Sequence, residues 1–220
     1  MTCFQAFKPM ALTVLIVLGF VVKADHAKAA TTETLTVAGG CFWCVEADFE
    51  KVPGVSEVIS GFTGGTVSNP SYRQVVNGGT GHIEAVQIMF DPDIVSRQEL
   101  LSKFIRSVDP TDAGGQFCDR GFSYTTAIFV SNPQEREQAR AILAKAQKQL
   151  GQTVVTPVKD LGAFYPAEAG HQDYYKSSGL VITRAGPKTK ANAYKFYRDA
   201  CGRDQRVRQL WGDAAPFAGG

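Results

Sequence analysis

The run Gly40-Cys41-Phe42-Trp43-Cys44 places two thiols and two aromatic rings where a predicted strand passes into a predicted helix. Backbone N–H groups in the first turn of a helix lack partners within it and carry partial positive charge. A thiol held there has a lowered pKa and is a better nucleophile at neutral pH. We therefore predict that Cys41 is a nucleophile. Phe42 and Trp43 are either a wall that receives a methyl or thioether group, or ordinary core.

Four further polar side chains lie in unexpected settings. Glu84 interrupts the apolar strand predicted for residues 83–90, Tyr72 lies in a short predicted helix, and Asp119 and Tyr124 follow a cysteine in a glycine-containing loop. A carboxyl group in apolar surroundings keeps its proton to a higher pH, which suits a general acid. The sequence leaves open a simpler interpretation, in which Glu84 points to solvent from an edge strand.

Predicted strands and helices alternate from about residue 34 and must position these groups. The periodicity predicts strands at 34–38, 55–62, 83–90, 125–130 and 154–158. It predicts helices from Cys41 to about 52, at 71–76, after the caps Ser96 and Asn132, near 168–176, and from about 187. Several helices are short and the glycine-containing loops are long. This pattern favours an α+β fold in which helices cover one mixed sheet.

The first residues have the composition of an export signal. Lys8 precedes an apolar run from Met10 to Val22, and Ala27-Lys28-Ala29-Ala30 follows with an A-x-A pattern. The run is shorter than the roughly 20 residues of a spanning helix, although a retained anchor stays an alternative. We predict a signal peptide at 1–29, a single catalytic domain at 30–220, and a periplasmic location.

Charge excludes some classes of partner. The chain has a net charge of +2, and removal of residues 1–29 takes away three lysines and one aspartate, so that +2 − 3 + 1 leaves zero. No basic excess indicates nucleic-acid binding, and we expect no stable membrane association after cleavage. A neutral peptide or small uncharged group fits this balance, and we expect a monomer.

Four cysteines remain after residue 29, namely Cys41, Cys44, Cys118 and Cys201. In an oxidising compartment an even number can mean two structural disulfides. Cys41-x-x-Cys44 also fits a thiol–disulfide oxidoreductase of the thioredoxin type. A third interpretation is a metal-binding module that adds His82 or His171, although a single C-x-x-C is weak support for it.

Four segments together resemble the type A methionine sulfoxide reductase family. They are Gly-Cys-Phe-Trp-Cys at 40–44, Gly-His-Ile-Glu-Ala-Val at 81–86, the spacing of Asp119 to Tyr124, and Phe-Tyr-Pro-Ala-Glu at 164–168 followed by His-Gln. The resemblance covers roughly residues 34–176, with the motifs in the family's order. It implies a ferredoxin-like α+β core and no cofactor or metal.

The resemblance also implies a catalytic cycle. Cys41 would attack the sulfoxide sulfur of methionine-S-sulfoxide while protonated Glu84 gives its proton to the oxygen. Tyr72 and Tyr124 would hold that oxygen, and Asp119 would position a water or the substrate. Phe42 and Trp43 would receive the methyl group, and His171 would support the site.

The second half of the implied cycle restores the nucleophile. Cys41 would remain as a sulfenic acid, condense with a second thiol to a disulfide, and be recharged by thioredoxin or a similar dithiol. Cys201 is our first choice for the resolving cysteine because Gly202 can end a helix and expose it. Cys44 and Cys118 are the alternatives, and Cys44 is disfavoured because a helix start limits its movement. Oxidised proteins are the expected substrates.

Overall fold

Residues 1–2 and 31–219 are described by a computed structural model. The strands are β1 Glu33–Gly39, β2 Val55–Thr63, β3 Ile83–Phe90, β4 Gly115–Gln116, β5 Asp119–Arg120, β6 Thr126–Val130, β7 Val158–Asp160, β8 Tyr165–Pro166, β9 Leu180–Thr183 and β10 Gly186–Thr189. The α-helices are α1 Phe42–Phe49, α2 Tyr72–Val76, α3 Arg97–Arg106, α4 Pro133–Leu150, α5 Lys190–Ala200 and α6 Arg203–Trp211.

The main sheet has the strand order β7-β6-β1-β3-β2-β8. Its four central strands, β6-β1-β3-β2, are antiparallel, and β7 joins β6 in parallel. Helix α1 connects β1 to β2 and α3 follows β3, which gives the ferredoxin-like arrangement of two split β-α-β units. The predicted α+β fold with a mixed sheet covered by helices is confirmed.

The core lies mainly between the sheet and helices α1, α3 and α4. Side chains alternate between the two faces of a strand, so Glu84, Val86 and Ile88 of β3 share the face that α1 and α3 cover. Val86 and Ile88 are fully buried there beside Phe104 of α3. This alternation aims Glu84 at the beginning of α1.

Two predicted elements were wrong in the region after α4, and the predicted C-terminal helices are confirmed as α5 and α6 with a start at residue 190. Residues 154–157 are not a strand, since their amides bind elsewhere: Val154 donates to Gln147 Oε1 and Val155 to the carbonyl of Pro110. The helix predicted near 168–176 is two single 3₁₀ turns separated by Asp173, whose φ of +54° interrupts a right-handed helix. The segment from 187 first completes a hairpin with β9 before α5 begins.

Residues 3–29 of the predicted signal peptide lie outside the described residues. Within residues 31–219, no helix combines the length and the apolar character needed to cross a membrane. Since β1 begins at Glu33, the described strands and helices all follow the predicted cleavage point.

Candidate active site

Cys41 lies at the junction of β1 and α1, where it forms the N-cap of the helix. The turn before it requires glycine at position 40. Gly40 has φ +79°, and a Cβ there would be 2.5 Å from the Cβ of Gln116. Gln116 is buried and fixed by amide hydrogen bonds to both the N–H and the carbonyl of Asp109. The predicted transition from strand to helix at Cys41 is therefore confirmed, and the turn between the two elements is closely packed.

Cys41 and Cys44 are a hydrogen-bonded pair of free thiols. That hydrogen bond raises the pKa of Cys41, and burial and the proximity of the acidic groups of Cys44, Glu84 and Asp119 raise it further. The same hydrogen bond lowers the pKa of Cys44, against the effect of burial. The expected lowering at Cys41 is therefore wrong for this resting pair, in which Cys44 is the more acidic thiol.

Glu84 is a buried carboxyl group at the beginning of α1. Its Oε2 accepts a hydrogen bond from the backbone N–H of Phe42 at 2.9 Å, and its buried Oε1 has no partner within the described residues. Burial raises its pKa well above the usual value, and the Phe42 N–H opposes this only in part. The alternative of a solvent-facing edge residue is wrong, since β3 lies between β1 and β2.

Three more predicted residues lie around this carboxyl group. The hydroxyl of Tyr72 donates a hydrogen bond to that of Tyr124, and burial and the proximity of Glu84 raise the pKa of both phenols. Burial likewise raises the pKa of Asp119, with Arg203 opposing it. The tyrosines are therefore neutral hydrogen-bond donors at physiological pH.

An aromatic cage forms the apolar part of the site. The imidazole of His171 stacks on Tyr72 with centroids 4.2 Å apart and on Trp43 at 5.7 Å, and it lies 5.8 Å from Phe42. Tyr174 stacks on Trp43 at 3.8 Å. Burial lowers the pKa of His171, so the ring is neutral. The cage presents aromatic carbon beside Cys41 and Glu84.

Sequence reasoning missed the residue that fixes one wall of this cage. The side chain of Gln172 accepts a hydrogen bond from the Ser60 N–H and donates to the carbonyls of Ser60 and Ala167, all between 2.8 and 2.9 Å. These bonds hold the loop carrying His171 against β2. A glutamine in a polar loop carries no periodic signal that would have identified it.

A buried cluster of charges on the far side of Cys44 was also missed. Asp48 follows Cys44 by one helical turn and accepts a hydrogen bond from Arg198 Nη1 at 2.9 Å, while Arg203 Nε lies 4.0 Å from its other oxygen. All three side chains of this cluster are buried. Both arginines lower the pKa of Cys44. The only sequence signal was an aspartate on an otherwise apolar helix face.

Cys118 and Cys201 form a disulfide that joins the β4–β5 hairpin to the end of α5, with their Cα atoms 5.1 Å apart. The expected Cys41–Cys201 disulfide is absent from this state, since Cys41 is a free thiol. The role of Cys201 as the resolving cysteine stays a prediction. The structure also shows that Cys44 contacts Cys41 without any movement.

The metal-binding alternative finds no support at the thiols. His82 uses both ring nitrogens, in contacts with the Gly65 N–H at 3.1 Å and the Val67 carbonyl at 2.7 Å. Among residues 31–219, the side chains placed to share an ion are instead Glu46, Glu50 and Asp173. Lys176 forms ion pairs with the last two at 2.8 Å.

Comparison with known proteins gives the family. The model of the family described as "Peptide methionine sulfoxide reductase" matches residues 33–212. "Peptide methionine sulfoxide reductase MsrA 2" of Rhizobium meliloti is 47% identical over 193 residues, covering 88% of this chain and 90% of the relative.

Solved structures agree. "Methionine sulfoxide reductase A of Corynebacterium diphtheriae" superposes with a TM-score of 0.66 and 32% identity, covering 72% of this chain and 80% of that one. Reduced Mxr1 from Saccharomyces cerevisiae gives a TM-score of 0.63 and 28% identity, covering 67% and 86%. The chain belongs to the peptide methionine sulfoxide reductase family, to its A type.

Proposed function

We propose that the protein reduces methionine-S-sulfoxide in oxidised proteins to methionine. The observation that carries this proposal is that Cys41 lies near the buried carboxyl group of Glu84. The Oε1 atom of Glu84 has no partner within the described residues, and the pKa of this group is raised. A sulfoxide is neutral, polar at oxygen and apolar at its methyl group. It therefore needs proton and hydrogen-bond donors on one side and aromatic carbon on the other.

In the first step the thiolate of Cys41 attacks the sulfoxide sulfur. Glu84 gives its proton to the sulfoxide oxygen, and the hydroxyls of Tyr72 and Tyr124 donate to the same atom as negative charge develops on it. The oxygen passes to Cys41, which becomes a sulfenic acid and loses two electrons, while the methionine sulfur gains two. Asp119 positions the water or substrate group beside this oxygen.

The aromatic cage selects the orientation of the substrate. Phe42 and Trp43 receive the methyl group, and the neutral ring of His171 closes the cage between Trp43 and Tyr72. With the methyl group and the oxygen assigned to opposite walls, one epimer directs its sulfur at Cys41. We infer that this epimer is the S form, as the family resemblance implies.

In the second step the sulfenic acid condenses with a second thiol and releases water. The disulfide then requires two electrons from an external dithiol, for which we propose thioredoxin or a thioredoxin-like protein. Cys201, Cys44 and Cys118 are the candidates for the second thiol. No nucleic acid, organic cofactor or metal has a part in this scheme, and the protein would act as a monomer.

A turnover assay tests the proposal directly. Purified protein is given each epimer of a methionine sulfoxide peptide, with thioredoxin, its reductase and NADPH. The S epimer should be reduced continuously, while the R epimer serves as the matched substrate control and should remain. Cys41→Ser should form no methionine even in a single turnover. Methionine formation by that variant would contradict the proposal.

A thioredoxin-type oxidoreductase is the competing function, because Cys41 and Cys44 form a hydrogen-bonded thiol pair at a helix start. That function gives no role to Glu84, Tyr72 or Tyr124. Cys44→Ser separates the two: a thioredoxin-type enzyme loses all activity, whereas our scheme retains one turnover on methionine sulfoxide.

We further propose that the protein is exported to the periplasm and loses residues 1–29. The basic start, the apolar run to Val22 and the Ala27-Lys28-Ala29 pattern support this proposal. The N-terminal residue of protein recovered from the periplasmic fraction should be Ala30. Recovery of the intact chain with the membranes would instead indicate a retained anchor.

A further inference from the structure

All four cysteines after residue 29 line one cavity of about 320 Å³. Cys41 and Cys44 lie on one side as free thiols, and the Cys118–Cys201 disulfide lies on the other. Trp43, Tyr174 and Asp119 of the candidate site line the cavity as well, whereas Glu84, Tyr72 and Tyr124 do not. Cys41 therefore lies between the groups around Glu84 and the cavity that all four cysteines share.

We propose that Cys44 is the resolving cysteine and that Cys118–Cys201 is a second redox pair, which takes the disulfide from Cys41–Cys44 and presents it to the external dithiol. This inference rests on the proposed function. It assigns an order to the cysteines, in which Cys41 and Cys44 perform the chemistry and the outer pair, through the exposed Cys118, exchanges with the external dithiol.

Position and charge both favour Cys44 for the first of these roles. The backbone N–H of Cys44 donates to the carbonyl of Cys41 at 3.1 Å, and the two thiols interact closely enough to shift each other's pKa. This proximity answers the objection that a helix start leaves Cys44 little freedom to reach Cys41. The guanidinium groups of Arg198 and Arg203 stabilise a thiolate at Cys44.

The arginines are held in place by a network of hydrogen bonds. Arg198 donates to Asp48 at 2.9 Å, to the Tyr194 hydroxyl at 2.8 Å and to Asp204 at 3.0 Å. Arg203 donates to the carbonyl of Ser107 at 2.9 Å. Burying two cations is costly without such partners, and the network directs their charge at Cys44.

Exposure distinguishes Cys118 from the other three cysteines. Cys118 is exposed, whereas Cys201, Cys41 and Cys44 are half-buried, and the Cys118–Cys201 disulfide is formed while Cys41 and Cys44 are both reduced. A dithiol can therefore reach the outer sulfur without entering the substrate cage. A purely structural disulfide could join the hairpin and α5 at any position, so its location in the cavity that Cys41 lines favours a redox role.

The proposed sequence balances. Cys44 thiolate attacks the sulfenic sulfur of Cys41, hydroxide leaves and takes a proton to become water, and a Cys41–Cys44 disulfide forms. A thiolate of the reduced Cys118 and Cys201 pair then attacks this disulfide, and its partner completes the exchange. The result is a Cys118–Cys201 disulfide and two restored thiols. The external dithiol finally gives two electrons and two protons to this disulfide and is itself oxidised to a disulfide.

Stoichiometry without a reductant tests the inference on the unmodified protein. Fully reduced enzyme, freed of reductant, should form two equivalents of methionine. Enzyme prepared with the Cys118–Cys201 disulfide already formed should form one. After the first equivalent, peptide mapping of the reduced preparation should find Cys118 joined to Cys201 with Cys41 and Cys44 free. One equivalent from both preparations, with Cys118 and Cys201 still thiols in the preparation that began fully reduced, would overturn the second redox pair.

Two variants test the order in which the cysteines react. Reduced Cys118→Ser/Cys201→Ser protein should form one equivalent and hold a Cys41–Cys44 disulfide. Reduced Cys44→Ser protein should form one equivalent and retain a Cys41 sulfenic acid that a dimedone probe labels. Two equivalents from Cys44→Ser would show that Cys201 or Cys118 resolves Cys41 directly and would overturn the role of Cys44. Failure of the proposed function is distinct from these results, because no preparation would then form methionine.

Discussion

The two sides of the first turn of α1 control protons in opposite ways. On the substrate side, Glu84, Tyr72 and Tyr124 have pKa values raised chiefly by burial, so all three groups keep their protons. On the other side, Arg198 and Arg203 favour the deprotonated form of Cys44. One helix end therefore faces a site that donates protons and a site that holds a thiolate.

This difference shows that the helix N-terminus does not act on Cys41 in the way its position suggests. The N–H of Phe42, the first within the helix, donates to Glu84. Its partial positive charge is thus directed at the carboxyl group, and the thiol pair is biased by arginines from α5 and α6.

The largest effect should follow from removal of the acid on the substrate side. Glu84→Gln preserves the size of the side chain but has no acidic proton, so kcat/KM should fall by about 10² to 10⁴. KM should change much less. Glu57→Gln, on the exposed part of β2, is the matched control and should retain normal kinetics.

The pH profile gives a second measurement on the same variant. A general acid works while it is protonated, so the rate of the methionine-forming step should be highest at low pH and fall as pH rises through the raised pKa of Glu84. Glu84→Gln should lack this fall. A descending limb that persists unchanged in the variant would show that another group is the acid.

Removal of one phenol hydroxyl should have a smaller effect. Tyr72→Phe and Tyr124→Phe should each lower kcat/KM by about 10- to 100-fold, the usual cost of losing a hydrogen bond to a group that gains charge. Since the two hydroxyls are hydrogen-bonded to each other, the double variant should lose less than the product of the single losses. Fully multiplicative losses would show that they act independently.

Sequence reasoning predicted Glu84, Tyr72 and Tyr124, which the structure brings together, but it did not predict the arginines beside Cys44. Glu84 and the tyrosines are identified by short motifs, and the alternation of β3 was sufficient to predict its bounds. The bias of the thiol pair depends on Arg198 and Arg203, more than 150 residues from Cys44 in the chain. No local pattern encodes such a contact, because it depends on how α5 and α6 pack against α1.

The effect of the arginines on the pKa of Cys44 can be reduced separately. Arg203→Met should raise the pKa of Cys44, so the recharging rate near pH 7 should fall by about 3- to 10-fold and recover at higher pH, where the thiolate forms again. The formation of the first equivalent of methionine is measured separately, because Arg203 also lowers the pKa of Asp119. Arg184→Met is the control, because Arg184 is exposed and lines the same cavity without contributing to the shift at Cys44.

The smallest effect on activity is expected for Glu46, a buried acid of α1. This residue separates the consequences of burying a carboxyl group from the consequences of a role in catalysis. Glu46 is buried like Glu84, but its oxygens accept hydrogen bonds from Ser60 Oγ at 3.2 Å and the Asp173 N–H at 2.9 Å. Burial still raises its pKa to about 7. Because the pKa is higher in the folded state, protonated Glu46 favours folding, and this stability is lost as pH rises from about 4.5 to about 7.

Glu46→Gln cannot ionise, so its stability should not show that loss. Relative to the unmodified protein, the variant should gain about 1–2 kcal/mol in the free energy of unfolding between pH 5 and pH 7, as measured by urea denaturation. Glu57→Gln should show no such relative gain. Since Glu46 contacts neither the cage nor the thiols through these bonds, kcat/KM should be unchanged in Glu46→Gln. A large loss of activity there would mean that the pKa of Glu84 is set by α1 as a whole, and that the two acids cannot be treated separately.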